Sequence, residues 1–196
     1  NVVGFRDSCM TLLPRLLRSE WVQFALFVLL LFAGRSTLAD HYHVPSGSME
    51  YTLMPGDRVV VDKTAYGLRV PFTKIDVVDT GSPKSGDIAV FDSPENGKLL
   101  IKRIVAVGGD RVELRNGLLW VNGERLPTET QVNLDHGGGP DIRELRLPEG
   151  MVLAIGDHRG RSHDSRYFGL IPERELYGRA VAVYYSRDAG FGWEPL

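Results

Sequence analysis

The sequence predicts a mainly β, antiparallel domain with one apolar helix in front of it and a small β-hairpin subdomain inserted into it. Three observations carry that prediction. Beyond Asp40 the apolar residues fall into short runs rich in Val, Ile and Tyr, at 58–63, 87–91, 99–107, 151–155 and 180–185, and helical periodicity is scarce. Gly-Asp recurs at Gly56-Asp57, Gly86-Asp87, Gly109-Asp110 and Gly156-Asp157, three times just before an apolar run and once just after, as turn corners do. Asn116-Gly117 sits between Arg111-Val112-Glu113-Leu114-Arg115 and Leu118-Leu119-Trp120-Val121, which is a two-residue hairpin turn with a strand on either side.

The first element in chain order is apolar. From Trp21 to Ala33 the chain reads WVQFALFVLLLFA, with Gln23 as its one strongly polar residue. At about 1.5 Å per residue these positions reach about 20 Å, short of a hydrocarbon core of about 30 Å. Extension through Gly34-Arg35-Ser36-Thr37-Leu38-Ala39 supplies the difference, with Arg35 near one end where its stem can snorkel. Three readings compete: a transmembrane anchor over 21–39, a cleaved export signal ending at Thr37 and Ala39, and a buried core helix. The extended length and Trp21 at the boundary favour the anchor. Arg6, Arg15 and Arg18 outweigh Asp7 and Glu20, so residues 1–20 are expected in the cytoplasm and the rest outside. Pro14 and two arginines interrupt the earlier patch at 12–17, which is not counted as a second span.

The remainder is enough for one packed β domain, expected at 40–109 and 150–187, with the inserted subdomain at 110–149 and a C-terminal tail at 188–196. Within the insert, 128–140 carries Gly137-Gly138-Gly139 and reads as an exposed loop to which no chemistry is assigned. The net charge of -2 and pI near 6.2 give no basic field, which argues against nucleic acid as the main partner. The single cysteine, Cys9, excludes an intrachain disulfide, so packing alone holds the domain.

Chemistry concentrates in three stretches. Val44-Pro45-Ser46-Gly47-Ser48-Met49 and the residues on to Asp57 display small hydroxyls between glycines where anchor and domain meet; a turn-rich linker is the bland alternative. The strand around Lys102 places Leu100, Lys102 and Ile104 on one face and Ile101, Arg103 and Val105 on the other. Apolar flanks would desolvate the Lys102 amine and lower its pKa, and a neutral amine can activate a serine. A solvated Lys102/Arg103 pair at a sheet edge is the competing reading. In the third stretch, His158, His163, Asp157 and Asp164, with His136 added, suggest a metal, yet no spacing matches a familiar ligand pattern. A bracing loop is more economical, with Ser162 bonded to an amine and Asp164 paired with Arg166; a merely polar loop is the third possibility.

Together Pro45-Ser46-Gly47-Ser48-Met49, Tyr66-Gly67-Leu68-Arg69-Val70-Pro71, Gly86-Asp87-Ile88-Ala89-Val90-Phe91, Ile101-Lys102-Arg103-Ile104-Val105 and the run from Gly156-Asp157 to Asp164-Ser165-Arg166 resemble, in order, the boxes of bacterial type I signal peptidase. The likeness covers most of the chain from about Arg35 to Ala182. It implies a signal-peptidase-like β fold and a membrane-bound serine endopeptidase. Ser48 would be the nucleophile, Lys102 the general base, and Ser46 with the Ser48 N–H the oxyanion donors. Ser162 would orient the amine, and Asp157 with Arg103 and Asp164 with Arg166 would be structural ion pairs. Val44, Pro45, Met49, Leu53, Leu100 and Ile101 would meet the substrate. No cofactor or metal is implied. The partners would be signal peptides of exported preproteins and the lipid bilayer, with the catalytic domain on the outer side of a bacterial cytoplasmic membrane. Tyr51, Leu100 and His158 depart from the family's usual proline, tyrosine and asparagine. A self-cleaving Ser/Lys protease and a non-catalytic, membrane-tethered peptide-binding domain are the alternatives; the latter requires Ser48 and Lys102 to lie apart.

Overall fold

The computed structural model describes residues 19–69, 76–78, 80–126 and 132–196. The expected cytoplasmic segment falls outside these but for its last two residues, and so do Val70 and Pro71 of the second family box.

Helix α1 (Glu20–Leu38) stands where the apolar segment was expected, and Trp21, Phe24, Phe27 and Leu31 are exposed on it. Its 19 residues correspond to about 28 Å. Among the described residues no helix is long and apolar enough to cross a membrane.

The chain then passes directly into β1 (Ala39–His43), which pairs antiparallel with β2 (Arg58–Asp62). After the short β3 (Leu68–Arg69) and β4 (Asp76–Val78) come β5 (Ile88–Asp92) and β6 (Leu99–Ala106). Next follow β7 (Arg111–Arg115), β8 (Leu118–Val121), β9 (Glu124–Arg125) and β10 (Ile142–Arg146). The chain ends with β11 (Met151–Ile155), the short helix α2 (Ser165–Phe168), β12 (Ile171–Pro172), β13 (Leu176–Ser186) and β14 (Gly190–Pro195). The main sheet runs β1-β2-β13-β5-β6-β11-β12, with β14 beside β13, and all its pairings are antiparallel. A second sheet, β10-β7-β8-β9, is the insert.

Turn chemistry sets these registers. Asn116 and Gly117 both take positive φ, 51° and 77°, which fits the right-handed twist of β7 and β8 and places Arg115 opposite Leu118. The Gly-Asp pairs precede β2, β5 and β7 and follow β11, as corners feeding and leaving strands. Residues 188–196 are not the expected tail. β14 pairs with β13 from Ser186↔Gly190 to Ala182↔Pro195, and the Phe191 ring meets Tyr185 edge-on with centroids 5.1 Å apart.

The core lies in three groups. Val44, Met49, Leu53, Val59, Val61, Ile88, Val90 and Ile101 pack together beneath the Ser48 stretch. Phe91, Ile104, Ala154, Ile171 and Leu176 form a second group. Val112, Leu114, Leu119 and Leu147 of the insert pack with Val105, Leu153 and Ile155 of β6 and β11. The insert therefore buries its apolar face against the two strands that flank the candidate site.

Candidate active site

Residues 44–57 form a closed loop on the sheet. The Val44 N–H donates to the Asp57 carbonyl and the Gly56 N–H to the Val44 carbonyl, each at 2.9 Å. Met49 and Leu53 are wholly buried and draw the loop down onto Ile101 of β6. Gly47–Met49 make a single 3-10 turn whose middle residue is Ser48, and that serine is only 7% exposed.

Lys102 reaches the turn from β6. Its Nζ lies 2.7 Å from Ser48 Oγ and donates to the Ile101 carbonyl at 2.9 Å. The residue is 3% exposed. Burial drives its pKa down from 10.5 to about 8, while the Asp164 and Asp157 carboxylates oppose the fall. Ser46 is exposed beside the pair, with its Oγ 3.4 Å from Ser48 Oγ. A buried hydroxyl beside a desolvated amine is an arrangement that can activate a serine for acyl transfer.

β11 runs next to β6, so the loop that follows it closes over Lys102. Asp157 is fully buried and accepts from Arg103 Nε at 3.0 Å and Nη2 at 2.8 Å. Arg103 Nη1 also donates to the Gly86 carbonyl at 2.8 Å, tying β6 to the corner before β5. Asp164 accepts from Arg166 Nε and Nη2, each at 2.8 Å, from the Gly156 N–H at 3.0 Å and from the Arg166 N–H at 3.2 Å. Both expected ion pairs are thus formed. The expected Ser162 contact is not: Ser162 Oγ is buried without a hydrogen-bond partner and does not bond the Lys102 amine.

Gly156 explains how Ser162 and Ser48 come so close. A Cβ at this position would overlap both Ser162 Oγ and the Ser48 carbonyl oxygen. The second of these is backbone and cannot swing away. Gly156→Ala is therefore expected to push the Ser48 turn off Lys102, lowering kcat by at least about tenfold and stability by about 1–3 kcal/mol. Cleavage kinetics beside urea unfolding check this; unchanged values in both would show that the two loops are not in register through Gly156.

Of the residues expected to meet substrate, Val44, Met49, Leu53 and Ile101 share one buried cluster beneath Ser48. Leu100 is separated from them, packing with Phe91 and Ile104, because adjacent residues of a strand face opposite sides. Pro45 is exposed. Three groups were missed in the sequence. Thr52 Oγ1 donates to Asp157 Oδ2 at 2.6 Å. The described part of the 128–140 loop does not stand free, since the Asn133 N–H donates to the Asp157 carbonyl at 2.8 Å and the Arg159 N–H to the Asn133 carbonyl at 2.9 Å. Glu50, His158 and His136 form a third contact, considered below. The histidines do not converge as a ligand set: His163 pairs with Glu95 at 2.8 Å, apart from the other two.

The site is thus a buried serine beside a buried lysine on an antiparallel scaffold, and comparison with known proteins supplies the family. Residues 18–185 match the family described as signal peptidase, peptidase S26. The chain is 34% identical over 200 residues to signal peptidase I of Pseudomonas aeruginosa, covering 82% of this chain and 69% of that protein. It is 36% identical over 171 residues to a probable chloroplastic thylakoidal processing peptidase of Arabidopsis thaliana, covering 82% of this chain and 41% of that one. A crystal structure of a signal peptidase I from Enterococcus faecalis aligns with TM-score 0.43 and 33% identity, over 50% of this chain and 95% of that one. The chain belongs to the signal peptidase family, peptidase S26, and is a serine endopeptidase.

Proposed function

We propose that the protein removes N-terminal signal peptides from exported preproteins, with Ser48 as nucleophile and Lys102 as general base. The observation that carries this reading is the 2.7 Å approach of Lys102 Nζ to Ser48 Oγ with both groups buried. The neutral amine takes the Ser48 proton as Oγ attacks the scissile carbonyl. The oxyanion is held by the Ser48 N–H and the Ser46 hydroxyl, a term worth about 3 kcal/mol per donor in the transition state. The resulting ammonium hands its proton to the leaving amine, and water then cleaves the acyl-enzyme by the same base. Val44, Met49, Leu53 and Ile101 are already close-packed, which favours small, alanine-sized residues before the cut, on a substrate lying as an extended strand.

α1 is the bilayer anchor in this reading, with the N-terminus cytoplasmic and the β domain on the outer face of the membrane. Its exposed Trp21, Phe24, Phe27 and Leu31 need an apolar environment, and Ser48 follows Ala39 by only nine residues. The exposed apolar side chains of α1 also weigh against a soluble, self-cleaving relative. The short Ser48–Lys102 distance weighs against a non-catalytic peptide binder, which needs the two apart.

The test is cleavage by detergent-solubilised protein of a preprotein bearing an Ala-x-Ala site, with the cut mapped by mass spectrometry. Cutting after the second alanine is expected, together with a loss of about a hundredfold in kcat/KM when either alanine becomes leucine. Equal cutting of alanine and leucine substrates would sink the signal-peptide assignment.

A further inference from the structure

One side-chain chain in the molecule is used neither by the dyad nor by the two ion pairs. It runs from the nucleophile turn into the insert. His158 touches the turn on both sides of Met49: its backbone N–H donates to the Ser48 carbonyl at 3.1 Å, and its Nδ1 lies 3.0 Å from Glu50 Oε2. The Glu50 carboxylate in turn lies flat on Gly47, where any Cβ would overlap it. The other ring nitrogen, His158 Nε2, is 3.0 Å from His136 Nδ1, with the ring centroids 5.1 Å apart. His136 is exposed and belongs to the insert's Gly-rich loop, while the His158 side chain is almost wholly buried.

The hydrogen-bond roles follow from the partners. A carboxylate only accepts, so His158 Nδ1 carries a proton toward Glu50; Nε2 then shares one proton with His136 Nδ1. The ring is thereby fixed in tautomer and angle from both ends. A neighbouring contact strengthens the tie, because Tyr51 Oη donates to Asp135 Oδ2 at 2.8 Å. Ser48, Glu50 and Tyr51 are therefore all held, within four residues, by the 156–161 loop or by the insert.

We propose that Glu50, His158 and His136 are positioning residues that set the angle of the Ser48 turn, so that the insert helps to aim the nucleophile at Lys102. This rests on the Ser48/Lys102 reading. None of the three touches the reacting atoms. They act by fixing where Oγ points, and errors of about 1 Å in such placement reduce rates up to about a hundredfold. Two features make the brace more than packing. Its links are directional hydrogen bonds and not apolar contact, and its outer member sits in solvent, where a core role is excluded.

The experiment compares Glu50→Ala and His136→Ala with the conservative Glu50→Gln and His136→Asn, which keep an acceptor for His158 Nδ1 and a polar atom at the Nδ1 position. His136 is exposed, so its substitution leaves the core intact. Each alanine variant is expected to lower kcat on the Ala-x-Ala preprotein about tenfold with KM within about twofold, because loss of one hydrogen bond in a shared brace misaims the nucleophile without removing substrate contacts. The double alanine variant should lose no more than the worse single one, since the brace fails at its first broken link. The conservative variants should recover most of the rate. Undiminished kcat in both alanine variants, additive losses, or a loss matched by a fall in folded fraction overturns the brace. Ser48→Ala is run alongside. Residual cutting by that variant overturns the dyad reading and the brace with it, whereas an inert Ser48→Ala beside fully active Glu50→Ala and His136→Ala overturns the brace alone.

Discussion

Replacing Lys102 by methionine, or Ser48 by alanine, is expected to lower kcat/KM for preprotein cleavage about ten-thousandfold or more while the fold persists. Methionine keeps the stem and most of the volume of lysine but cannot accept a proton, so the substitution isolates the base from the packing. The same geometry sets the pH dependence. With a pKa lowered to about 8, only about one amine in ten is neutral at pH 7. Activity should therefore climb as pH rises toward about 8 and level off above it. Stability follows with the same sign. The unfolded chain keeps the lysine proton up to about 10.5 and the folded chain only to about 8. Between those values the unfolded state binds more protons, and the fold gains stability as pH rises. Below about 8 the full desolvation penalty is present; the gap between 10.5 and about 8 corresponds to about 3 kcal/mol. Unfolding of wild type and Lys102→Met at pH 7 and pH 10 reads this as a difference that shrinks at high pH. A Lys102→Met enzyme that still cuts, or a wild-type rate flat across pH 6 to 9, would remove lysine from the base position.

The parts of this arrangement visible in the sequence are those that local chemistry encodes. Asn116-Gly117 dictates a twist-compatible hairpin turn whatever surrounds it. Lys102 amid Leu100, Ile101, Ile104 and Val105 announces a desolvated amine. Asp164 and Arg166 are close enough in the chain to pair across the start of one short helix, and Asp157 with Arg103 follows once β6 and β11 are neighbours. What the sequence hid depends on distant segments meeting. Thr52 reads as an ordinary turn residue until Asp157, 105 positions away, is placed against it. Glu50 and His158 stand 108 positions apart, and the insert's loop looked free because its ties, the backbone bonds through Asn133 and the contacts of Asp135 with Tyr51 and of His136 with His158, all join distant segments. β14 was missed for another reason: Phe191-Gly192-Trp193 alternates, but on an exposed edge it lacks the buried half that makes a strand legible. Leu100 joins Ile104 as the alternation along β6 dictates, which sets it apart from Ile101 and the cluster beneath Ser48.

The second large effect concerns Asp164, whose substitution should separate two roles held by one carboxylate. Its side chain and that of Arg166 are both fully buried, and it receives two guanidinium bonds and two backbone N–H bonds. Asp164→Ala leaves that guanidinium buried without its counter-charge, and the expected loss is about 3–5 kcal/mol in urea unfolding. Arg166 also donates to the carbonyls of Gly138, Arg159 and Ser162, so the loop over the dyad and the insert loosen together. Replacing both partners, as Asp164→Ala with Arg166→Leu, should recover part of the loss, because the stranded charge is gone even though the backbone bonds are not restored. Catalysis supplies the other readout. The Asp164 charge opposes the fall of the Lys102 pKa, so the milder Asp164→Asn, in whatever fraction folds, should move the rising limb of the pH–rate profile below about 8. A limb that stays in place would mean that Asp164 acts on the loop alone, and a limb that moves upward would mean that burial of Lys102, and not its neighbours, changes when the pair is broken.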